Sequence, residues 1–181
     1  RRAGRLVVVT TEPAALLRPA AAHLEVVRDR GGGLNAAFRQ GTEHVRREAG
    51  DPRRAVAGLQ ADLPALHPDE LDDALARAAA VLAAGAPAAF VADHAGTGTT
   101  LLVAAPGRRL RPRFGPASAA AHTATGAVPL DGDWPGLRGD VDTTADLARA
   151  RALGAGPETG AWPAPPSTTG CRPGEHPVAA R

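Results

Sequence analysis

Short, unbroken apolar runs alternate along the chain with longer stretches in which apolar residues recur every three or four positions. That ordering predicts an α/β domain built on a mostly parallel sheet flanked by helices. Residues 5–10, with Leu-Val-Val-Val at their centre, read as a buried strand. A helix over 12–22 and a second strand over 23–28 follow. Gly31-Gly32-Gly33-Leu34-Asn35 then turns the chain into a helix running to about Ala49, and residues 54–60 form a third strand. Pro64 has no N–H to donate and ends that pairing. Pro68 and Asp69 open a helix whose apolar stripe is Leu71, Leu75, Ala78 and Leu82. Strands over 88–92 and 99–104 bracket the loop 93–98, and a short helix covers 116–123. Val128 lies in a short strand, and Asp142 or Thr143 caps a last helix ending near Leu153.

The length of 181 residues fits one domain with a real core. Its span is 1–156, because composition from 157 to 181 turns to Pro, Gly, Ser and Thr, the signature of a disordered tail. All 21 basic residues are Arg, and Lys, Ile, Tyr and Met are absent, a bias of GC-rich coding rather than of function. A net charge of +2 with 3% aromatic residues gives neither a phosphate-tracking stripe nor stacking platforms, so no nucleic-acid partner is expected. The single cysteine, Cys171, excludes an internal disulfide framework and suits a cytoplasmic protein. Residues 74–92 are the most apolar stretch, but Arg77, Gly85 and Pro87 interrupt it, so no membrane span is expected.

In an open parallel sheet, ligands bind beyond the carboxyl ends of the strands. Four places qualify. The glycine turn before Asn35 lets backbone approach a ligand, or is only a turn. Asp62 follows the third strand, as a ligand or as a solvated loop carboxylate. Asp140-Val141-Asp142 points two carboxylates to one side of an extended segment. At about 5 Å and an effective dielectric near 20, each such like-charge pair costs roughly 3 kcal/mol. Three carboxylates meeting at one edge suit a hard cation such as Mg²⁺. The alternative has Asp142 capping the helix and Asp140 pairing with Arg138. The fourth place joins Gly96–Thr100 to Phe114–Ser118, where small residues, hydroxyls and a helix start outline an anion site. His122 shares a helical face with Ser118 and either bonds into that site or is a partly buried surface residue.

Gly33-Leu34-Asn35, Asp62-Leu-Pro-Ala-Leu66, Asp93 with Gly96-Thr-Gly-Thr-Thr-Leu-Leu102, Phe114-Gly-x-x-Ser118-x-x-x-His122 and Gly136-Leu-Arg138-x-Asp140-Val-Asp142-Thr143 occur in fixed order. This series closely resembles the 2-phospho-L-lactate or phosphoenolpyruvate guanylyltransferases of coenzyme F(420) biosynthesis, over nearly everything from Arg5 to Leu153. The resemblance implies a Rossmann-like nucleotidyltransferase fold, similar to that of the molybdenum-cofactor guanylyltransferases. It implies transfer of GMP from GTP to phosphoenolpyruvate or 2-phospho-L-lactate, with release of pyrophosphate. Asp62, Asp140 and Asp142 are then the catalytic residues and hold Mg²⁺. Thr100, Gly115 and Ser118 bind the phosphoacid, and Gly33 and Asn35 face the nucleotide. GTP and the phosphoacid are the expected partners, and a homodimer is a candidate assembly. Family members begin with a strand and a Lys- or Arg-bearing triphosphate loop, whereas only Arg1 to Gly4 precede Arg5, so the domain is expected to be N-terminally incomplete. The rival expectations are another nucleotidyltransferase of this fold, acting on a sugar phosphate or a pterin, and a non-catalytic remnant that binds phosphoacid and metal.

Overall fold

A computed structural model describes residues 4–12, 24–48 and 54–160. The helix expected over 12–22 and Cys171 therefore lie outside the described residues, apart from Glu12. The elements run β1 (Leu6–Thr10), β2 (Leu24–Arg28), α1 (Leu34–Glu48), β3 (Val56–Leu59), α2 (Pro68–Ala83), β4 (Ala88–Ala92), β5 (Thr99–Ala104), α3 (Ser118–Ala124), β6 (Val128–Pro129), α4 (Thr144–Ala152) and α5 (Pro157–Gly160). The tail expected to be disordered from 157 thus begins with a helical turn, and residues after 160 are outside the described set.

The α/β expectation holds, but the mostly parallel sheet does not. β1 and β2 pair in parallel as a two-stranded sheet, while the larger sheet has the order β3-β5-β4-β6. In it β5 runs antiparallel to both β3 and β4, and only β4 and β6 are parallel. The reason is connection length. A parallel crossover needs a dozen or more residues, and the 93–98 connection is far shorter, so β4 and β5 close as a hairpin.

Both faces of this sheet are covered, which explains the unbroken apolar runs of β4 and β5. Ala89, Val91, Leu101 and Val103 face one core with Ala74, Ala78 and Leu82 of α2, joined by Leu63, Trp134 and Leu137. Phe90, Leu102 and Ala104 alternate to the opposite face and meet Leu110, Phe114, Ala119 and the partly buried Phe38 of α1. Completely burying one Leu or Phe contributes about 2 kcal/mol, so these two layers hold the sheet edges in register.

The start of α2 also braces the segment that leads to Asp140. His67 caps the helix, Pro68 is its first residue, and Asp69 and Glu70 lie in its first turn, where a carboxylate suits the positive helix end. The Glu70 carboxylate accepts the N–H groups of Gly136 (3.2 Å) and Leu137 (2.6 Å), and Asp73 accepts the Trp134 indole N–H at 2.9 Å. Gly136 allows this close approach, since a Cβ there would collide with the Ala65 carbonyl.

Candidate active site

β3 and β4 end, and β5 begins, at one edge of the larger sheet, because Leu59 pairs with Leu101 and Ala92 with Thr99. Val91 pairs with Leu101, so Thr100 is an extra residue between two pairs, a β-bulge of the kind that re-aims a side chain. Gln60 pins the bulge by donating its N–H to the Thr100 carbonyl (2.9 Å) and its side-chain amide to the Thr99 carbonyl (3.0 Å). The Thr100 hydroxyl is completely buried and has no hydrogen-bond partner among the described residues. A buried polar group left without a partner costs about 1–3 kcal/mol.

Beside the bulge, Asp93 shapes the 93–98 loop. Its carboxylate accepts the N–H groups of Thr97 (2.9 Å) and Gly98 (2.8 Å), and a Cβ at Gly98 would collide with it. In the sequence Asp93 stands only as part of a motif, without this anchoring role. The available signal was an Asp ahead of a Gly-Thr-Gly turn, the pattern of side-chain-to-backbone capping.

The segments that carry the expected carboxylates meet through their backbones at the same edge. Val141 donates its N–H to the Asp62 carbonyl oxygen (3.2 Å), which ties the Asp140–Asp142 segment to the chain leaving β3. His94 donates its N–H to the Arg138 carbonyl (2.8 Å), and the Arg138 guanidinium donates to the Asp93 carbonyl (3.2 Å). Arg138 thus braces the loop backbone in place of the expected pair with Asp140. Burial, then the charges of Asp93, Asp142 and Asp62, hold the Asp140 carboxyl above the usual carboxylate range. Asp62 is exposed as a residue, yet crowding of its carboxyl and then the charge of Asp142 raise it as well. Helix capping does not explain Asp142: Thr143 is the N-cap of α4, in a capping box with Asp146. Hard oxygen donors that repel one another are the donor chemistry that a divalent cation would satisfy. Among the described residues, no three His, Cys, Asp or Glu side chains stand close enough together to hold a metal ion.

The segment 114–118 completes the edge. Ser118 is buried and opens α3, but the N–H of Ser118 goes to the Gly115 carbonyl (3.1 Å) and that of Ala119 to the Thr97 carbonyl (3.0 Å). The first two N–H groups of this seven-residue helix are therefore tied to the two loops. Ala117 just before it has φ 56°, a left-handed conformation that costs a non-glycine residue about 1–2 kcal/mol.

Two side chains hold this turn. Asn35 of α1 donates from Nδ2 to the Phe114 carbonyl (2.9 Å) and accepts the Phe114 N–H on Oδ1 (2.8 Å). His122 is fully buried: Nε2 accepts the Arg113 N–H (2.9 Å), so Nδ1 carries the proton facing the Thr99 hydroxyl at 2.9 Å. Of the two sequence readings for His122, the bond into the 96–100 segment matches, through Thr99, and the partly buried surface position does not. Gly33 completes the glycine turn in front of Asn35, with φ 80° and its carbonyl accepting from Ala36 and Ala37.

No family model matches the chain. Comparison with known proteins finds phosphoenolpyruvate guanylyltransferases. That of Geodermatophilus obscurus is 52% identical over 157 residues, covering 86% of this chain and 67% of the relative. That of Salinispora arenicola is 49% identical over 155 residues, covering 85% and 68%. That of Nocardia farcinica is 51% identical over 137 residues, covering 76% and 58%. The chain thus spans about two thirds or less of the length of these relatives. With half of its aligned residues shared and the five motifs gathered on one sheet edge and its bracing loops, the chain belongs to the phosphoenolpyruvate guanylyltransferase family.

Proposed function

We propose that this chain transfers GMP from GTP to phosphoenolpyruvate in coenzyme F(420) biosynthesis, in the cytoplasm. A phosphate oxygen of the acceptor attacks the α-phosphorus of GTP, a new P–O bond forms, and the bond to the bridging α–β oxygen breaks as pyrophosphate departs with its electron pair. The observation that carries this reading is one juxtaposition. The buried Thr100 hydroxyl, without a partner among the described residues, lies at the same sheet edge as Asp62 and, through the Val141 bond, Asp140 and Asp142. A small anion can satisfy the hydroxyl, and the carboxylates need positive charge beside them. Phosphoryl transfer needs positioning and charge neutralisation rather than a protein nucleophile.

In this reading Thr100, Gly115 and Ser118 bind the phosphoacid. Asp62, Asp140 and Asp142 would hold Mg²⁺ only by drawing closer than they stand in this structure, and its chemistry would be to neutralise charge on the reacting phosphates. Gly33 and Asn35 stay on the nucleotide side, Asn35 with the Nδ2 proton and Oδ1 lone pair that its bonds to Phe114 leave over. A Rossmann-like nucleotidyltransferase arrangement accords with Asp62 and Asp93 following the carboxyl ends of β3 and β4.

The relatives' name favours phosphoenolpyruvate over 2-phospho-L-lactate. Assaying pyrophosphate from GTP and Mg²⁺ with phosphoenolpyruvate, 2-phospho-L-lactate, a sugar phosphate or no acceptor tests it. Release that depends on phosphoenolpyruvate supports the reading, and release with none of the acceptors refutes it.

A further inference from the structure

Asn35 sits in the first turn of α1, and Phe114 stands 79 residues later at the head of the turn that reaches Ser118. The two bonds between them form a closed ring, with the amide side chain standing in for the backbone of a neighbouring strand. Two further contacts converge on the same residue. Phe38, one helical turn after Asn35, stacks on the Phe114 ring at 4.3 Å between centroids. The His122 ring meets the Phe114 ring in a T-shaped arrangement at 5.3 Å between centroids. Phe114 itself is 6% exposed. Gly58 on β3 leaves room for this arrangement, since a Cβ there would press on Phe38 and Leu110 at about 3 Å.

The turn gripped in this way has little to hold it by itself. Gly115 has φ 124° and Ala117 φ 56°, and strained backbone persists only where its surroundings over-determine it. Asn35 is the only one of these holding groups that bonds to the backbone of Phe114 from outside the 99–122 region. We infer that Asn35 is a positioning residue for the phosphoacid: by fixing the Phe114 backbone from α1, it sets where Gly115 and Ser118 stand relative to Thr100. The inference rests on the assignment of Thr100, Gly115 and Ser118 to the phosphoacid. It adds to the nucleotide-side place of Asn35 a second role on the acceptor side, carried by a clamp rather than by contact.

Two variants separate this role from a general loss of structure. Asn35→Ala removes both bonds and places a strong helix former in α1. Asn35→Asp keeps the acceptor for the Phe114 N–H but sets an oxygen against the Phe114 carbonyl, and a carboxylate in a first helical turn is itself favourable. In the full chain, amide hydrogen exchange of residues 113–118 is expected to quicken at least 10-fold in both variants while β4 and β5 keep their protection. The KM for phosphoenolpyruvate is expected to rise at least 10-fold. Unchanged exchange over 113–118, or a KM effect confined to GTP, would overturn the inference. Because the exchange readout needs no turnover, an inactive wild-type protein would refute the guanylyltransferase reading and leave the clamp to be judged by exchange alone.

Discussion

The Val141 N–H bonds to the Asp62 carbonyl at 3.2 Å, and this one backbone contact brings carboxylates from two distant parts of the chain to a common edge. Burial, and after it the charges of Asp93, Asp142 and Asp62, hold the Asp140 carboxyl above the usual carboxylate range. Replacing Asp140 with Asn removes one of the repelling charges. Without divalent cation, Asp140→Asn is expected to leave stability unchanged or to raise it by up to about 1 kcal/mol. Its guanylyl-transfer rate is expected to fall about 100-fold or more. Urea unfolding and initial rates measure the two effects. A loss of stability would show that the carboxylate is a structural partner.

Asp142 and Thr143 are neighbours with separable roles. Thr143 accepts the Asp146 N–H and Asp146 accepts the Thr143 N–H, so Thr143→Ala is expected to cost about 1 kcal/mol of stability. Asp142→Asn is expected to keep the folded circular-dichroism spectrum and thermal midpoint of the wild type while raising the Mg²⁺ concentration needed for activity. Melting of Asp142→Asn at the lower temperature of Thr143→Ala would return the cap to Asp142.

Much of this was legible in the sequence, for identifiable reasons. The apolar cores of β4 and β5 and the Pro68 start of α2 are local signals, and they placed those elements to within a residue or two. Strand direction was not local. It followed from the short 93–98 connection, which the alternation of strands and helices outweighed in reading the chain as a parallel sheet. The four candidate segments were visible as composition, because glycines, hydroxyls and paired carboxylates are rare side by side. How they hold one another was not, since the Asn35–Phe114 and Thr99–His122 bonds join residues 79 and 23 positions apart.

Gly98 permits the Asp93 cap, and a methyl group there would occupy the space of the carboxylate. Gly98→Ala is expected to destabilise the fold by about 1–3 kcal/mol and to raise the phosphoenolpyruvate KM more than the GTP KM. Thermal unfolding with a two-substrate kinetic matrix checks both, and wild-type stability would remove the anchoring role from Asp93.

His122 gives the fold a pH dependence of defined sign. Burial, and secondarily the charge of Arg113, push its pKa below the ordinary value of 6.5. The neutral ring's contribution to stability is therefore complete above pH 6.5 and is lost as the pH falls from 6.5 toward the lower folded value. NMR titration of the His122 ring in the folded protein is expected to give a pKa under 6.5. A value above 6.5 would mean that the ring is protonated between Thr99 and Arg113 and that the bond from Arg113 N–H is misassigned.

Guanylyl transfer itself is tested most directly by the phosphorus bond it makes. In ³¹P NMR of the protein incubated with GTP, Mg²⁺ and phosphoenolpyruvate, a new pair of coupled phosphoanhydride signals joining GMP to the acceptor is expected, with pyrophosphate appearing in equal amount. GTP that stays intact, or that yields only GDP and inorganic phosphate, would contradict the assignment of this sheet edge to guanylyl transfer.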